Sequence, residues 1–109
     1  MNDNNSEFLR GYVEVIVLKF LKKGGDYIYN IAKKIRERSG GFFTVTNPSL
    51  LLTMRKLSEA GCVSYKNELN ERGVNRKRYF ITEKGCELLE KELPVCRTAL
   101  GKIDSLLGE

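Results

Sequence analysis

The sequence contains no histidine and no tryptophan, and its 109 residues include only two prolines and three cysteines. Without histidine there is no imidazole to act as a general base, to activate a serine or cysteine nucleophile, or to bind a metal ion. Cys62, Cys86 and Cys96 are odd in number and have no Cys-x-x-Cys spacing, which argues against a zinc ribbon and a disulfide framework. We therefore expect a protein that is not an enzyme and uses no metal ion and no cofactor.

Long hydrophobic runs are also missing. The longest covers residues 15–18 and ends at Lys19, whereas a membrane-spanning helix needs roughly 20 apolar residues. The N-terminus does not resemble a signal peptide. We therefore expect no membrane partner and a location in the reducing cytoplasm.

The charge is positive overall, at +5, and it is unevenly distributed. Residues 1–82 contain fifteen basic and eight acidic residues, whereas residues 83–109 contain four basic and six acidic ones. This asymmetry is typical of a module that binds a polyanion joined to a segment with another purpose. The alternative is a solvated basic surface on an ordinary domain.

Hydrophobic periodicity predicts two helices in the first forty residues. The first covers residues 7–23 and ends at two glycines, and it has two apolar stripes. One stripe packs on its own core, and the other, formed by Phe8, Tyr12 and Val15, needs the C-terminal segment or a second subunit. The second helix covers residues 27–39, with Asp26 as its N-cap. Residues 42–46 are predicted to form a short strand.

The third predicted helix covers residues 47–60, with Asn47 as N-cap and Pro48 at its first position. Its packing face is formed by four apolar residues, Leu50, Leu51, Met54 and Leu57. Ser49, Thr53 and Lys56 recur on the opposite face, with Leu52 near them, and Arg55 flanks them.

Residues 62–69 and 76–82 are predicted to form a β-hairpin with Arg72 and Gly73 at its tip. The second strand begins with Arg76 and Lys77, so the hairpin is basic at its tip and along one strand. Strand parity places Tyr79 in the core.

The last helix begins at the N-cap Thr82 and shows a heptad spacing of apolar residues. These residues are Leu89, Leu93, Cys96, Leu100, Ile103 and Leu107. Pairing with the same helix of a second copy is favoured over folding back on the first helix of the same chain. Pro94 lies inside this seam and predicts a kink or a break near Leu93, because proline removes an amide donor from the helix.

The order of these elements is that of a winged helix-turn-helix, a mainly α fold with a small β wing (α+β) and a long C-terminal dimerisation helix. Residues 1–82 form the predicted DNA-binding domain and residues 83–109 the dimerisation helix. The third helix is suited to the major groove, and the wing to phosphates or the minor groove. The DNA-contacting residues predicted from these patterns are Asn47, Ser49, Thr53, Arg55, Lys56, Arg72, Arg76 and Lys77. Each of these residues also has an alternative role. Asn47 could act only as an N-cap, Ser49 and Thr53 could simply face solvent, and Lys56 or Arg55 could form an ion pair with Glu59.

Four segments of the chain resemble the PadR family of bacterial transcriptional regulators. The resemblance covers about residues 8–92. It rests on L-R-G-Y-V-E-V-I-V-L-K-F-L in the first helix, I-Y-N-I-A-K-K-I in the second, M-R-K-L-S-E-A-G-C-V at the end of the third, and R-K-R-Y-F-I-T-E-K-G in the wing. The last segment is the most specific match. Four residues along the chain, Ile28, Pro48, Leu51 and Arg78, depart from the family pattern.

The PadR resemblance implies a homodimer, built through the last helix, that represses transcription by occupying a palindromic double-stranded DNA operator. It implies a phosphate contact for Tyr29. It also implies a small-molecule effector, because some members release DNA when a planar ligand binds between the subunits. The sequence itself contains no recognisable ligand site.

Two alternatives remain open. The chain could be a winged-helix protein–protein interaction module without DNA binding, which the acidic wing residues Glu68 and Glu71 favour. It could also be a redox-sensing regulator in which two copies of Cys96 meet across the dimer axis, although a buried cysteine ordinarily behaves as a small hydrophobic residue.

Overall fold

The N-terminal apolar segment forms two helices rather than one. In the computed structural model, which describes residues 5–108, α1 (Ser6–Leu9) is followed by a 3₁₀ turn (Arg10–Tyr12) and by α2 (Val13–Leu21). The prediction of one continuous helix was therefore wrong at this point. The turn is centred on Gly11, which has a low helix propensity and no side chain to pack.

The next two helices are α3 (Ile28–Arg38) and α4 (Asn47–Glu59), close to the predicted ranges. Two predicted caps are wrong by one residue. Tyr27 is the N-cap of α3. Thr46 is the N-cap of α4, and its hydroxyl accepts a hydrogen bond from the Ser49 amide at 3.1 Å. Asn47 is therefore the first helical residue, because a threonine in extended conformation precedes it and already satisfies the free amide.

The strand predicted at residues 42–46 is absent from the described part of the chain. This segment connects α3 to α4 without a hydrogen-bonded partner strand. Gly40 and Gly41 turn the chain with φ of 62° and 82°, and the rings of Phe42 and Phe43 then pack edge to face, with centroids 5.0 Å apart. Aromatic packing explains this composition, which resembles that of a strand.

The hairpin prediction is confirmed to within one residue at each strand. Strands β1 (Val63–Leu69) and β2 (Asn75–Ile81) pair antiparallel, with Val63 opposite Ile81 and Leu69 opposite Asn75. Tyr79 is 3% exposed, as strand parity predicted. Its backbone N–H and C=O also pair with Asp26, at 2.7 and 2.9 Å. This bridge attaches the base of the wing to the start of α3.

One hydrophobic core joins the helices to the base of the hairpin. It is formed by buried residues of α1 to α5 and of the hairpin, including Leu9, Val17, Leu18, Leu21, Ile31, Ile35, Leu50, Met54, Leu57, Val63, Tyr79 and Leu89. Leu50, Met54 and Leu57 are 0–2% exposed, as predicted, but Leu51 is 41% exposed. Leu51 is therefore not part of the packing face of α4.

Helix α5 (Glu83–Leu107) is continuous, so of the predicted kink or break near Leu93 the break does not occur. Pro94 lies inside the helix and is exposed, as is Glu90, whose carbonyl loses its amide partner. Because this side of the helix faces solvent, water can satisfy the free carbonyl. The predicted cap is confirmed, since the Thr82 hydroxyl accepts from the Gly85 amide at 3.0 Å.

A single apolar stripe on α5 changes from buried to exposed along its length. Leu89 is 4% exposed and packs in the core, and Leu93 packs at the edge of the core. Further along the stripe, Leu100 is 50% and Leu107 82% exposed. The first half of α5 therefore folds back on its own chain, where it contacts α2, while the second half presents its apolar face to solvent.

Candidate nucleic-acid interface

The tip of the wing is held by one asparagine side chain. The Asn70 Oδ1 accepts hydrogen bonds from the backbone N–H groups of Arg72 and Val74, at 2.8 and 2.9 Å. Gly73 has a φ of 78°, which a residue with a side chain rarely adopts. This turn leaves the Arg72 side chain exposed at the end of the hairpin.

One face of the wing holds its cations against an aromatic ring of the α3 N-terminus. The Arg76 guanidinium carbon lies 3.8 Å from the centroid of the Tyr27 ring, and that of Arg78 lies 5.5 Å away. The Tyr27 hydroxyl donates a 2.6 Å hydrogen bond to Glu68 Oε1. Because Glu68 lies directly opposite Arg76 in the strand register, the ring and the carboxylate together hold the wing against α3.

The opposite face of the wing carries Lys77. Its Nζ lies 4.5 Å from the Tyr65 ring centroid, and that ring packs on buried Tyr79 with centroids 5.8 Å apart. Burial and the neighbouring Tyr65 raise the pKa of Tyr79 above its usual value, so this tyrosine remains neutral in the core. Cations are therefore present on both faces of the wing, each against an aromatic ring.

Asp26 fixes the first turn of α3 beside the wing. Its carboxylate accepts hydrogen bonds from the Tyr27 amide and the Asn30 side chain, each at 2.8 Å, and from Lys34 Nζ at 3.0 Å. Burial raises the pKa of Asp26, but these hydrogen bonds outweigh the burial and lower the pKa below its usual value. Tyr29, in the same turn, is 66% exposed.

Sequence periodicity predicted an outward side of α4 formed by Ser49, Thr53 and Lys56. Part of this side faces the N-terminal helices. Thr53 is half-buried, and its hydroxyl donates to the Ser49 carbonyl at 3.3 Å. Both residues line a cleft of about 450 Å³ together with Arg10. Lys56 Nζ lies 3.1 Å from Glu14 Oε2, rather than pairing with Glu59.

The outermost face of α4 is formed by different residues. Leu52 and Arg55 are three positions apart and exposed, and Leu52 is 61% exposed. Asn47 and Ser49 are exposed in the first turn. Of the α4 candidates, Asn47, Ser49, Arg55 and Lys56 are exposed, and Lys56 lies beside Glu14 with most of its side chain accessible, whereas Thr53 is half-buried.

Sequence reasoning missed the roles of Tyr27 and Glu68 in holding the wing. A signal was present for both, because the hairpin register places an acid opposite Arg76 and an aromatic residue precedes α3. Leu52 was placed near the outward face of α4, where the structure has it, but it was given no role.

The candidate dimer residues border an apolar cleft between the N-terminal helices and α5. The cleft has a volume of about 280 Å³ and is lined by Phe8, Leu9, Tyr12, Val15, Ile16, Phe43, Leu93, Cys96, Arg97 and Leu100. Six of the nine predicted dimer residues, all except Leu89, Ile103 and Leu107, therefore meet at one place. Ile103 and Leu107 continue the same stripe of α5 beyond the cleft. Leu89 itself has almost no surface left for a partner.

Within residues 5–108, no group of three or more histidine, cysteine, aspartate or glutamate side chains is placed to hold a metal ion. No helix of the described chain has both the length and the apolar character needed to cross a membrane.

Comparison with known proteins gives one family and a consistent fold. The model of the "Transcriptional regulator PadR-like family" matches residues 17–91. The chain is similar to a transcriptional regulator from Clostridium thermocellum, with a TM-score of 0.84 and 23% identity over 94% of this chain and all of that one. It is also similar to a PadR-like transcriptional regulator from Bacillus cereus, with a TM-score of 0.78 and 24% identity over 95% of this chain and all of that one.

A third similar structure is Bacillus subtilis PadR in complex with operator DNA. It has a TM-score of 0.69 and 22% identity, over 75% of this chain and 46% of that one. At these identities the three structures establish a shared fold. They confirm the predicted fold class, a winged helix-turn-helix with a long C-terminal helix.

Proposed function

This chain belongs to the PadR-like family of transcriptional regulators, and we propose that it is a sequence-specific regulator that binds double-stranded DNA as a homodimer and represses transcription by occupying a palindromic operator. The observation that carries this proposal is the pair of exposed wing cations Arg76 and Lys77, each held against an aromatic ring, next to an α3 turn that exposes Tyr29. The DNA-bound structure of Bacillus subtilis PadR supports it.

In the proposed complex, the N-terminal half of α4 enters the major groove and the wing lies along the phosphates. Asn47, Ser49 and Arg55 face the groove. Phosphate contacts come from four residues around it, Tyr29, Arg72, Arg76 and Lys77. Thr53 is at most an edge contact, since it is half-buried beside the N-terminal helices, whereas Lys56 is exposed and lies at the side of the groove, next to Glu14.

The second half of α5 pairs with a second copy of the chain in this proposal. Its apolar stripe continues the buried stripe of the first half, and Leu100, Ile103 and Leu107 on it are all exposed. Phe8, Tyr12 and Val15 complete the surface on the N-terminal side. Two winged modules related by a two-fold axis would then dock in successive major grooves, roughly 34 Å apart.

We further propose that a small apolar effector binds in the 280 Å³ cleft between the N-terminal helices and α5. This cleft borders the proposed dimer surface, so a ligand there would change the angle between the two modules. Cys96 is half-buried in its wall and acts here as a small apolar residue.

Selection of bound fragments from a random DNA pool tests the DNA-binding proposal. We expect a palindromic consensus, and an affinity that falls by orders of magnitude between 50 and 200 mM salt as phosphate contacts are lost. Arg76→Glu should weaken binding strongly. Lys102→Glu, an equal change of charge at an exposed position of α5, should not. A flat salt response would contradict the phosphate contacts.

Sedimentation equilibrium tests the dimer. Ile103→Asp places a carboxylate on the apolar stripe and should give a protein of about 12 kDa, because a buried unpaired charge is costly. Thr98→Asp introduces the same group on the other side of α5 and should leave the dimer intact. A monomeric unmodified protein would refute the homodimer.

A second candidate function is a winged-helix protein–protein interaction module. The exposed leucines Leu51 and Leu52 on α4 favour it, because exposed apolar surface is typical of protein contacts. If the protein remains dimeric and folded but binds no DNA duplex even in dilute buffer, the interaction module replaces the DNA-binding proposal.

A further inference from the structure

Helix α4 exposes a leucine where it would meet DNA. Its buried stripe is formed by Leu50, Met54 and Leu57, which are 0–2% exposed, whereas Leu52 is 61% exposed. At 100° per residue, Leu52 is rotated by 200° from Leu50 and therefore faces away from the core. No apolar group of the described chain covers most of its surface.

The surroundings of Leu52 favour a nucleic acid over an apolar protein partner. Arg55 lies one turn further along the same outward face and is exposed. The wing, which carries Arg76 and Lys77, is attached to α3, and α3 packs against α4. Leu52 also lies in the N-terminal half of α4, the part of a recognition helix that reaches the base edges, whereas the acidic Glu59 is the last residue of the helix.

On the premise of the proposed function, we infer that Leu52 is a specificity-determining residue that reads thymine in the major groove. The C5-methyl of thymine is the only apolar group that a base pair presents on that side of the duplex. Contact between Leu52 and this methyl group removes apolar surface of both partners from water. The exposed leucine of the free protein is then buried in the complex. Cytosine and the purines offer no equivalent group at that position.

Replacing thymine by uracil tests this inference on one atom group. Uracil pairs with adenine as thymine does but lacks the methyl. In the operator obtained from a random DNA pool, each thymine is replaced in turn, symmetrically in both half-sites, and the Kd is measured by fluorescence anisotropy. For the unmodified protein we expect one position per half-site at which uracil weakens binding about three- to fivefold per half-site, the value of one buried methyl.

Two variants assign the effect to a side chain. Leu52→Ala should bind the thymine and uracil operators with equal Kd at that position. Leu51→Ala is the matched control, since it is the same substitution on the neighbouring residue, which is rotated by 100° from Leu52. It should retain the full thymine preference. Because Leu52 is exposed, Leu52→Ala should leave the circular dichroism spectrum of the protein unchanged.

The outcomes separate this inference from the function on which it rests. Failure to bind any duplex overturns the proposed function and, with it, the reading by Leu52. Binding that is insensitive to uracil at every position overturns the thymine contact alone. A preference that survives in Leu52→Ala, or disappears in Leu51→Ala, overturns the assignment to Leu52.

Discussion

Two glycines in α5 should respond in opposite ways to the same substitution. Gly85 lies in the first turn of the helix, where a Cβ would overlap the carbonyl oxygen of Cys62 and lie 2.8 Å from Ile81 Cγ1. Gly101 lies in the second half of the helix, where a Cβ would have no neighbour within 4 Å. Alanine at Gly85 is therefore expected to destabilise the protein, and alanine at Gly101 to stabilise it.

The size of each effect follows from the contacts. At Gly85 the obstacle is backbone, and the same Cys62 carbonyl accepts the Thr82 amide at 3.0 Å. Overpacking costs about 1–3 kcal/mol, and a weakened hydrogen bond adds about 1 kcal/mol, while the better helix propensity of alanine returns about 1 kcal/mol. We expect Gly85→Ala to lose about 1–3 kcal/mol. Gly101→Ala should gain about 0.5–1 kcal/mol.

Urea unfolding followed by far-ultraviolet circular dichroism measures both effects. The concentration of protomer is held constant, because the stability of a dimer depends on it. Gly101 is rotated from Leu100, Ile103 and Leu107 by more than 90° on average, so the control does not alter the apolar stripe. If Gly85→Ala stays within 0.5 kcal/mol of the unmodified protein, the close approach of α5 to Cys62 does not exist as described. If both variants are stabilised, helix propensity alone decides the outcome.

Further substitutions test individual hydrogen bonds of Tyr27, Asp26 and Thr82 by the same urea unfolding measurement. Tyr27→Phe removes the hydrogen bond to Glu68 and should cost about 1–3 kcal/mol, since the acceptor is charged and half-buried; no loss would mean that the wing is held by packing alone. Asp26→Asn should cost most at neutral pH: the folded pKa of Asp26 is lowered, so its contribution is complete above the unfolded pKa of about 3.9 and is lost as the pH falls through the folded value. An equal loss at pH 7 and pH 2.5 would contradict that. Thr82→Ala should cost about 1–2 kcal/mol, more than Thr46→Ala, because the Thr82 hydroxyl also donates to the Gly61 carbonyl at 2.7 Å.

Local rules were sufficient where one short-range effect dominates. Buried residues at helical spacing identified α3 and α4, and turn chemistry at Gly73 identified the hairpin. Thr82 was predicted correctly as the cap of α5, but the cap of α4 was predicted one residue too late, since Thr46 and Asn47 are both good capping residues and only the chain direction into the helix distinguishes them. The strand at residues 42–46 failed because β-branched and aromatic residues indicate an extended segment but not whether a partner strand is available.

The candidate interface was predictable in charge but not in orientation. The excess of cations in residues 1–82 indicated the wing, and Arg72, Arg76 and Lys77 are indeed exposed there. Which side of α4 faces outward depends on where α1 and α2 pack, and Glu14 pairs with Lys56 across that contact. Periodicity fixes the buried stripe of a helix, but it does not show which neighbour covers the flanks.

The amino-acid sequence by itself determined helices α3 to α5, the basic hairpin, the apolar stripe of α5 and the resemblance to one family, because all of these depend on residues close together in the chain. Only the tertiary structure decided that Tyr27 and Glu68 hold the wing, that Thr53 is half-buried, and that α5 is covered for half its length. These features depend on contacts between residues that are far apart in the sequence, such as Tyr27 and Glu68, which are separated by 41 positions. Such contacts exist only once the chain has packed around its core.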